Sequence, residues 1–315
     1  MRSFALALAV LPLFAQADTA IATHTAQLSN LRIELIDLDP SDGITPAFSY
    51  DADLIGLSGE AVIPTVPKDP AALLPSKTFE YTDGSLHLSV GPDSVSAGTT
   101  WTLAQAVTGR EWQEGSVFNS DTVNFERRMQ AVTFKTGTTS LLDFELPRFT
   151  LTPNTRIVIS GQASYSRELG TAALNEWLAT SGYDHYTLQE NAPFIGVIAQ
   201  FRRDGEVPGE WVEGDPESFF MSSQDETPLT VSDTSPGGIA AVGSNDFSIA
   251  FSNATGTATS GVLLMSAVAD PMLTLALTRS ATPTPVPEPG SWALMGLGLA
   301  FGAVAMRKQR HTSQR

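Results

Sequence analysis

Cysteine is absent from the 315-residue chain. Without it the fold has no disulfide framework, and neither a thiolate metal site nor a cysteine nucleophile is available. Basic residues are scarce as well, because 18 Lys and Arg stand against 34 Asp and Glu, for a formal net charge of −16. An acidic surface of this kind argues against nucleic acid and anionic lipid as partners, since both require clusters of positive charge.

Hydrolase motifs are also missing. The sequence contains no G-x-S-x-G nucleophile elbow and no H-E-x-x-H zinc motif. Of the four histidines, His185 has an acidic and aromatic setting and is interpreted as a surface residue. His24 lies just past the predicted export cleavage point and His87 lies in an alternating strand, so neither is assigned a role. The sequence therefore predicts no catalytic residue and favours a protein that is not an enzyme.

The first long apolar run lies at the N-terminus. Phe4–Phe14 is apolar, follows Met1-Arg2-Ser3 and precedes the small-x-small sequence Ala15-Gln16-Ala17. This order is typical of a secretory signal peptide, here residues 1–17, cleaved before Asp18. We therefore expect the folded part of the chain to lie outside the cytoplasm.

The second apolar run follows the motif Pro287-Glu288-Pro289. No charge interrupts Gly290–Met306, so a helix over this segment has no polar side to expose to water. As a helix, Trp292–Met306 spans about 22 Å, somewhat less than a hydrocarbon core of roughly 30 Å. The basic cluster that comes next fits the positive-inside rule and consists of Arg307, Lys308 and Arg310. We expect a single C-terminal transmembrane helix.

This order of motif, apolar span and basic cluster resembles the PEP-CTERM sorting signal of Gram-negative bacteria. Pro287, Glu288 and Pro289 stand where that family has its Pro-Glu-Pro. The resemblance covers residues 287–310. It implies an exosortase as partner, a membrane-embedded transpeptidase that cuts near the motif and passes the protein to the cell surface or the exopolysaccharide matrix. It also implies a precursor held transiently in the inner membrane.

The remaining segments define the domain organisation. Residues 18–278 are predicted to form one β-rich extracytoplasmic domain. Residues 279–286 are rich in Thr and Pro and form a semi-rigid linker. The sorting signal over 287–310 follows, and a short tail over 311–315 ends the chain.

The region 18–278 has the alternation of β structure. Leu28–Leu38 places apolar and polar side chains on opposite sides of a pleat. Turn sequences such as Asp83-Gly84 separate similar short runs, which include Leu86–Val90, Thr100–Val107, Phe247–Phe251 and Met272–Thr278. We expect a mainly β, antiparallel sandwich of jelly-roll-like type. One helix is predicted at Gly170–Thr180, where Leu174, Trp177 and Leu178 share a face.

Two acidic segments are candidate binding sites. Asp37, Asp39 and Asp42 have spacings that suit calcium ligands, but Gly43 and Phe48 break the EF-hand pattern, which favours a tight turn. The second segment, Glu210–Glu226, interleaves acids with aromatic rings. Stacking and hydroxyl binding make its side chains candidates for carbohydrate contact, and those named are Trp211, Glu213 and Phe219. A solvated acidic loop is the alternative reading of this segment.

Three functions remain open from the sequence. The first is an exported surface or extracellular-matrix protein with a structural or carbohydrate-binding role and no cofactor. The second is a secreted polysaccharide hydrolase that uses carboxylates of residues 210–226 as acid and base. The third is a calcium-dependent adhesin.

Overall fold

The computed structural model describes residues 20–58, 61–64, 68–108, 113–115, 120–135, 145–191, 193–204 and 215–279. The chain divides into two compact units, Met1–Thr278 and Arg279–Arg315, and every element given below belongs to the first. The predicted signal peptide, sorting motif, transmembrane helix and basic cluster lie outside the described residues. Within the described ranges, no helix has the length and apolar character needed to cross a membrane.

Strands dominate the described chain, and all of their pairings are antiparallel. The prediction of a mainly β, antiparallel protein is confirmed. The elements are β1 (Ala20–Asp37), β2 (Phe48–Ser58), β3 (Ala61–Pro64), β4 (Phe79–Asp83), β5 (Leu86–Val90), β6 (Val95–Thr102), α1 (Leu103–Thr108), β7 (Gln113–Gly115), β8 (Ser120–Glu126), β9 (Met129–Lys135), β10 (Arg148–Leu151), β11 (Thr155–Leu169), α2 (Ala172–Ser181), β12 (His185–Glu190), β13 (Phe194–Arg203), β14 (Ser218–Ser222), β15 (Thr230–Ser232), β16 (Ile239–Asn253), β17 (Thr259–Asp270) and β18 (Met272–Thr278).

The strands form three sheets, which we name A, B and C. Sheet A has six strands in the order β16-β11-β1-β6-β5-β4. Sheet B has seven strands, β10-β2-β9-β17-β13-β14 with β3 beside β2, and sheet C has five in the order β15-β12-β18-β8-β7. Sheets A and B therefore form a two-sheet sandwich. Sheet C is a third sheet, which the jelly-roll-like arrangement predicted from the sequence does not include.

One hydrophobic core fills the space between sheets A and B. Ala26 and Leu28 of β1 contribute to it from sheet A, and Val197 and Phe201 of β13 contribute from sheet B. All four side chains are fully buried. Phe149 lies at its centre, with ring centroids 5.3 Å from Phe201 and 5.0 Å from Phe251. Each such buried side chain contributes about 1.5–3 kcal/mol of transfer free energy, so this core is the main source of stability.

A second core lies beneath sheet C. It includes Leu188 from β12, Leu275 from β18 and Leu174 from α2, all fully buried. The helix predicted at Gly170–Thr180 is confirmed as α2, and its predicted apolar face packs against this core through Leu174, Trp177 and Leu178. Gly182 ends the helix in the left-handed conformation (φ 80°) that glycine adopts without strain.

The segment Thr100–Val107 differs from its prediction as a strand. Strand β6 ends at Thr102, and α1 begins at Leu103. The Thr102 amide donates to Oε1 of Gln105 at 2.9 Å, and the Gln105 amide donates to Oγ1 of Thr102 at 3.3 Å. These reciprocal bonds form a capping box, which starts a helix where the apolar pattern alone indicates a strand.

Candidate functional site

The outward side of sheet A is a polar surface. In β1, Ala26 and Leu28 face the core, so Thr25 and Gln27 face outward. Gln27 belongs to a row of polar residues that lie opposite one another on five neighbouring strands. In strand order the row is Ser89, Ser96, Gln27, Ser164 and Ser244. We call this surface the hydroxyl face and define it by Thr23, Thr25, Gln27, Ser29, Ser89, Ser96, Thr100, Gln162, Ser164, Ser166 and Ser244.

Apart from two glutamines, the side chains of the hydroxyl face are short. Five strands at about 4.8 Å spacing give the row a width of roughly 19 Å. Gly98 lies beside Thr25, and a Cβ there would approach Cγ2 of Thr25 to 3.1 Å. The hydroxyls also bond to one another, since Oγ1 of Thr25 lies 2.6 Å from Oγ of Ser166. The surface therefore offers many donors and acceptors. The register places three carboxylates on the same side, with Glu80 opposite Ser89, Glu168 opposite Thr23 and Asp246 opposite Gln162.

This surface is not among the candidate sites predicted from the sequence. Its signal is present in β11, where Ser160, Gln162, Ser164 and Ser166 alternate with buried residues. Alternation predicts a strand with one polar side. The polar sides of neighbouring strands line up because of the strand register, and the sequence does not show that register.

A buried charged cluster lies on the opposite, inward side of sheet A. Nε2 of His24 lies 2.7 Å from Oε1 of Glu190, and Nη1 of Arg167 lies 3.3 Å from Oε2 of the same carboxylate. The three side chains are 0%, 0% and 1% exposed. His24 and Arg167 are cross-strand neighbours in sheet A, whereas Glu190 ends β12 of sheet C. The backbone amide of Leu229 also donates to Oε2 of Glu190 at 3.1 Å.

The cluster continues from the core to the surface through Arg167. Nη2 of Arg167 donates to the carbonyl of Thr227 at 3.1 Å and lies 3.1 Å from Oε2 of Glu226, a side chain that is 40% exposed. The Tyr165 hydroxyl donates to the other oxygen of Glu226. Burial and this hydrogen bond raise the pKa of Tyr165 to about 12.

These contacts give the cluster a structural role. A buried carboxylate is costly unless cations and hydrogen-bond donors surround it. Glu190 has two such neighbours from sheet A and a backbone donor from the chain before β15. The cluster therefore fixes sheet C against sheet A, and its burial keeps it away from any substrate.

Asp37, Asp39 and Asp42 form a tight turn directly after β1. Asp37 accepts the Asp39 amide at 2.9 Å, and Asp39 accepts the Ser41 amide at 3.1 Å. Asp42 accepts the Ile44 amide and the Asn154 side chain, and the Asn154 bond in particular lowers the pKa of Asp42. In the described part of the chain, no group of three or more His, Asp or Glu is arranged to hold a metal ion. Calcium binding at this turn stays a prediction.

The second acidic segment is described only from Asp215 onward, so Trp211 and Glu213 lie outside the described residues. Phe219 is on β14, where its ring stacks on Phe247 at 5.0 Å and packs against the main core. Carbohydrate contact by Trp211, Glu213 and Phe219 stays a prediction.

Arginines pair with three of the four described carboxylates of this segment, Asp215, Glu217 and Glu226. Asp215 lies 3.1 Å from Arg202, and Glu217 lies 2.9 Å from Arg203. Burial raises the pKa of Asp215, but hydrogen bonds from the Glu217 amide and Arg202 outweigh it and bring the pKa below its ordinary value.

The geometry defines a β-rich protein with a polar sheet surface. Its C-terminal residues 285–310 match the family model of the PEP-CTERM protein-sorting motif. No curated protein and no solved structure matches the chain. The resemblance seen in the sequence is confirmed, so the chain carries a PEP-CTERM signal and is exported, directed to the cell surface and processed by an exosortase.

His185 lies on the surface at the start of β12. Its side chain is 63% exposed, and Nδ1 lies 2.9 Å from Oδ2 of Asp233. The hydrogen bond to Asp233 raises the pKa of His185, and the same bond lowers the pKa of Asp233. The stabilising effect of a raised histidine pKa is present below its ordinary value of 6.5 and is lost as the pH rises through the folded-state value.

We expect an NMR titration to give His185 a midpoint above 6.5. Asp233→Asn removes the charge partner and should return the midpoint towards that value. His87 is an internal reference, because burial lowers its pKa and it should titrate below 6.5 in both proteins. A His185 midpoint that does not respond to Asp233→Asn would contradict the pairing.

Proposed function

We propose that this protein is a non-enzymatic component of the cell surface or extracellular matrix, and that it binds uncharged polysaccharide through the hydroxyl face. The observation that carries the binding proposal is the row of short polar side chains across sheet A. The sorting motif supports the location, since it directs the chain to the surface where extracellular polymers lie.

The chemistry of the hydroxyl face matches an uncharged, hydroxyl-rich polymer. Each hydroxyl of Ser or Thr both donates and accepts, and the Gln27 and Gln162 amides do the same. A net hydrogen bond contributes about 0.5–1.5 kcal/mol, so a single sugar binds weakly. A polymer that crosses several strands makes many such contacts at once and gains from its effective concentration. The net charge of −16 disfavours anionic polysaccharides.

The described acidic residues support the non-enzymatic proposal. An acid–base pair for glycoside hydrolysis needs two carboxyl groups free to face one bond. Asp215, Glu217 and Glu226 are instead held by Arg202, Arg203 and Arg167. Such pairing holds these carboxylates in fixed positions as part of the fold.

Before it reaches the surface, the precursor is held in the inner membrane by a transmembrane helix within 290–306. The proposal rests on the uninterrupted apolar composition of this segment and on the basic residues that follow it. Proline keeps the motif at 287–289 extended, which suits it to a processing enzyme at the membrane surface.

Deletion of residues 287–289 tests the sorting step. We expect the deleted protein to keep its C-terminal segment and to stay in the membrane fraction, as measured by intact mass spectrometry and cell fractionation. The control is deletion of residues 281–283, which shortens the linker by the same length and leaves the motif intact. If removal of the motif changes neither size nor location, the motif does not direct sorting in this chain.

Ser164→Arg tests the hydroxyl face, because a long charged side chain at the centre of the row covers its neighbours. We expect affinity electrophoresis on a panel of uncharged polysaccharides to show roughly 2- to 10-fold weaker binding, the loss of about one hydrogen bond. Dextran sulfate is the anionic comparison and should not bind. Thr187→Arg is the matched control, because Thr187 faces outward on sheet C and carries the same change.

Two outcomes would contradict the binding proposal. One is that no uncharged polysaccharide retards the unmodified protein. The other is that Ser164→Arg and Thr187→Arg weaken binding equally, which would move the contact away from sheet A.

A further inference from the structure

Strand β16 is a long terminal strand. It ends sheet A, pairs with β11 along one side and has 15 residues. The other terminal strands described in the three sheets are short: β4 and β14 have five residues each, β3 and β10 have four, and β7 and β15 have three. Short edges are a common protection against pairing with another chain, and β16 lacks it.

The two halves of β16 differ in how they are covered. At the far end, the Ala250 amide donates to the Pro216 carbonyl at 2.8 Å, so part of that edge is occupied. The half over Ile239–Asn245 is mostly exposed, and its large side chains Ile239 and Val242 are 40% and 68% exposed. This half contains no proline, lysine or other charged residue. Such residues commonly prevent an edge strand from pairing with another chain.

We propose that two copies of this chain pair through Ile239–Asn245, edge to edge and antiparallel. A twofold pair brings identical segments together, so it requires a segment that does not repel itself. The segment Ile239–Asn245 meets this requirement, because it carries no charge in a chain whose net charge is −16 and it lies on the longest of the terminal strands. Chemistry therefore favours a second copy over a partner that would be recognised by charge.

Charge also selects the register of the pair. Pairing about the middle of the strand would place the Asp246 side chains of the two copies opposite each other, and like charges directly opposite are destabilising. Pairing about Val242 avoids this and places Val242 against Val242 and Ile239 against Asn245. Small residues, Ala241 and Gly243, then oppose each other and let the backbones approach.

The proposed pair has a consequence for the polymer-binding surface. Antiparallel pairing about an axis perpendicular to the sheet continues sheet A into its copy with the same side outward. The two hydroxyl faces then form one platform of double width. The pairing itself does not depend on polysaccharide binding, so its failure and the failure of the proposed function are separate results.

Cysteine trapping in the full chain tests the pair directly, because the natural sequence has no cysteine. We expect Val242→Cys to give a disulfide-linked dimer on a non-reducing gel under a mild oxidant. Thr82→Cys is the matched control: Thr82 is exposed on β4, the opposite edge of sheet A, and should stay monomeric. Because Val242 is exposed, we expect Val242→Cys to fold normally, and circular dichroism checks that it does.

Analytical ultracentrifugation of the full chain completes the test. The unmodified protein should sediment as a dimer, and Val242→Lys should sediment as a monomer because it sets two cations opposite each other. A dimer formed through the C-terminal apolar segment would survive Val242→Lys and overturn the proposal. A monomer at all concentrations, or equal cross-linking of Val242→Cys and Thr82→Cys, would overturn it as well.

Discussion

The carboxylate of Glu190 is the group on which the arrangement of the sheets depends. It is fully buried, at the end of a strand of sheet C, and its neighbours His24 and Arg167 belong to sheet A. A charge in this position is tolerated because it is surrounded by partners, and each partner is fixed by its own strand register. Apolar packing supplies most of the stability, but it is non-directional. The charged cluster is directional, and it therefore fixes the position of sheet C relative to sheet A at one defined point.

This division of sheet A into two sides connects the fold with the proposed function. The inward side carries the aliphatic core and the charged cluster, while the outward side carries short hydroxyl and amide groups. Because the inward side is anchored at both cores, the outward side needs no large apolar side chains for stability. On the inward side, the Tyr165 ring covers Gly243 on the neighbouring strand, where a Cβ would come within 2.4 Å of it. An outward surface rich in hydroxyl groups, with carboxylates beside them, on an exported, acidic protein is suited to a neutral polymer.

Local features of this fold were predictable from the sequence, and long-range features were not. Alternation located β5 and β18 to the residue, and helical spacing located α2, because these signals lie within a few neighbouring residues. The sorting motif was identified for the same reason. His24 received no role, since its partner Glu190 is 166 residues away and no local pattern joins them. Only Phe247–Phe251 was predicted within β16, because the Ala-, Gly- and Ser-rich half before it lacks apolar alternation and is a strand through its pairing with β11.

The most direct test of this account is the free energy of unfolding of Glu190→Gln, measured by urea denaturation of the full chain. The substitution keeps the size of the side chain and removes the charge, which takes the buried carboxylate partner away from Arg167 and leaves it with Glu226, whose side chain is 40% exposed. We predict a loss of about 3–5 kcal/mol, the range for breaking a buried pair. Asp204→Asn is the control, since Asp204 and Arg148 are about half exposed and such surface pairs contribute about 0–1 kcal/mol. A loss for Glu190→Gln no larger than that of Asp204→Asn would contradict the claim that the buried carboxylate holds the sheets together.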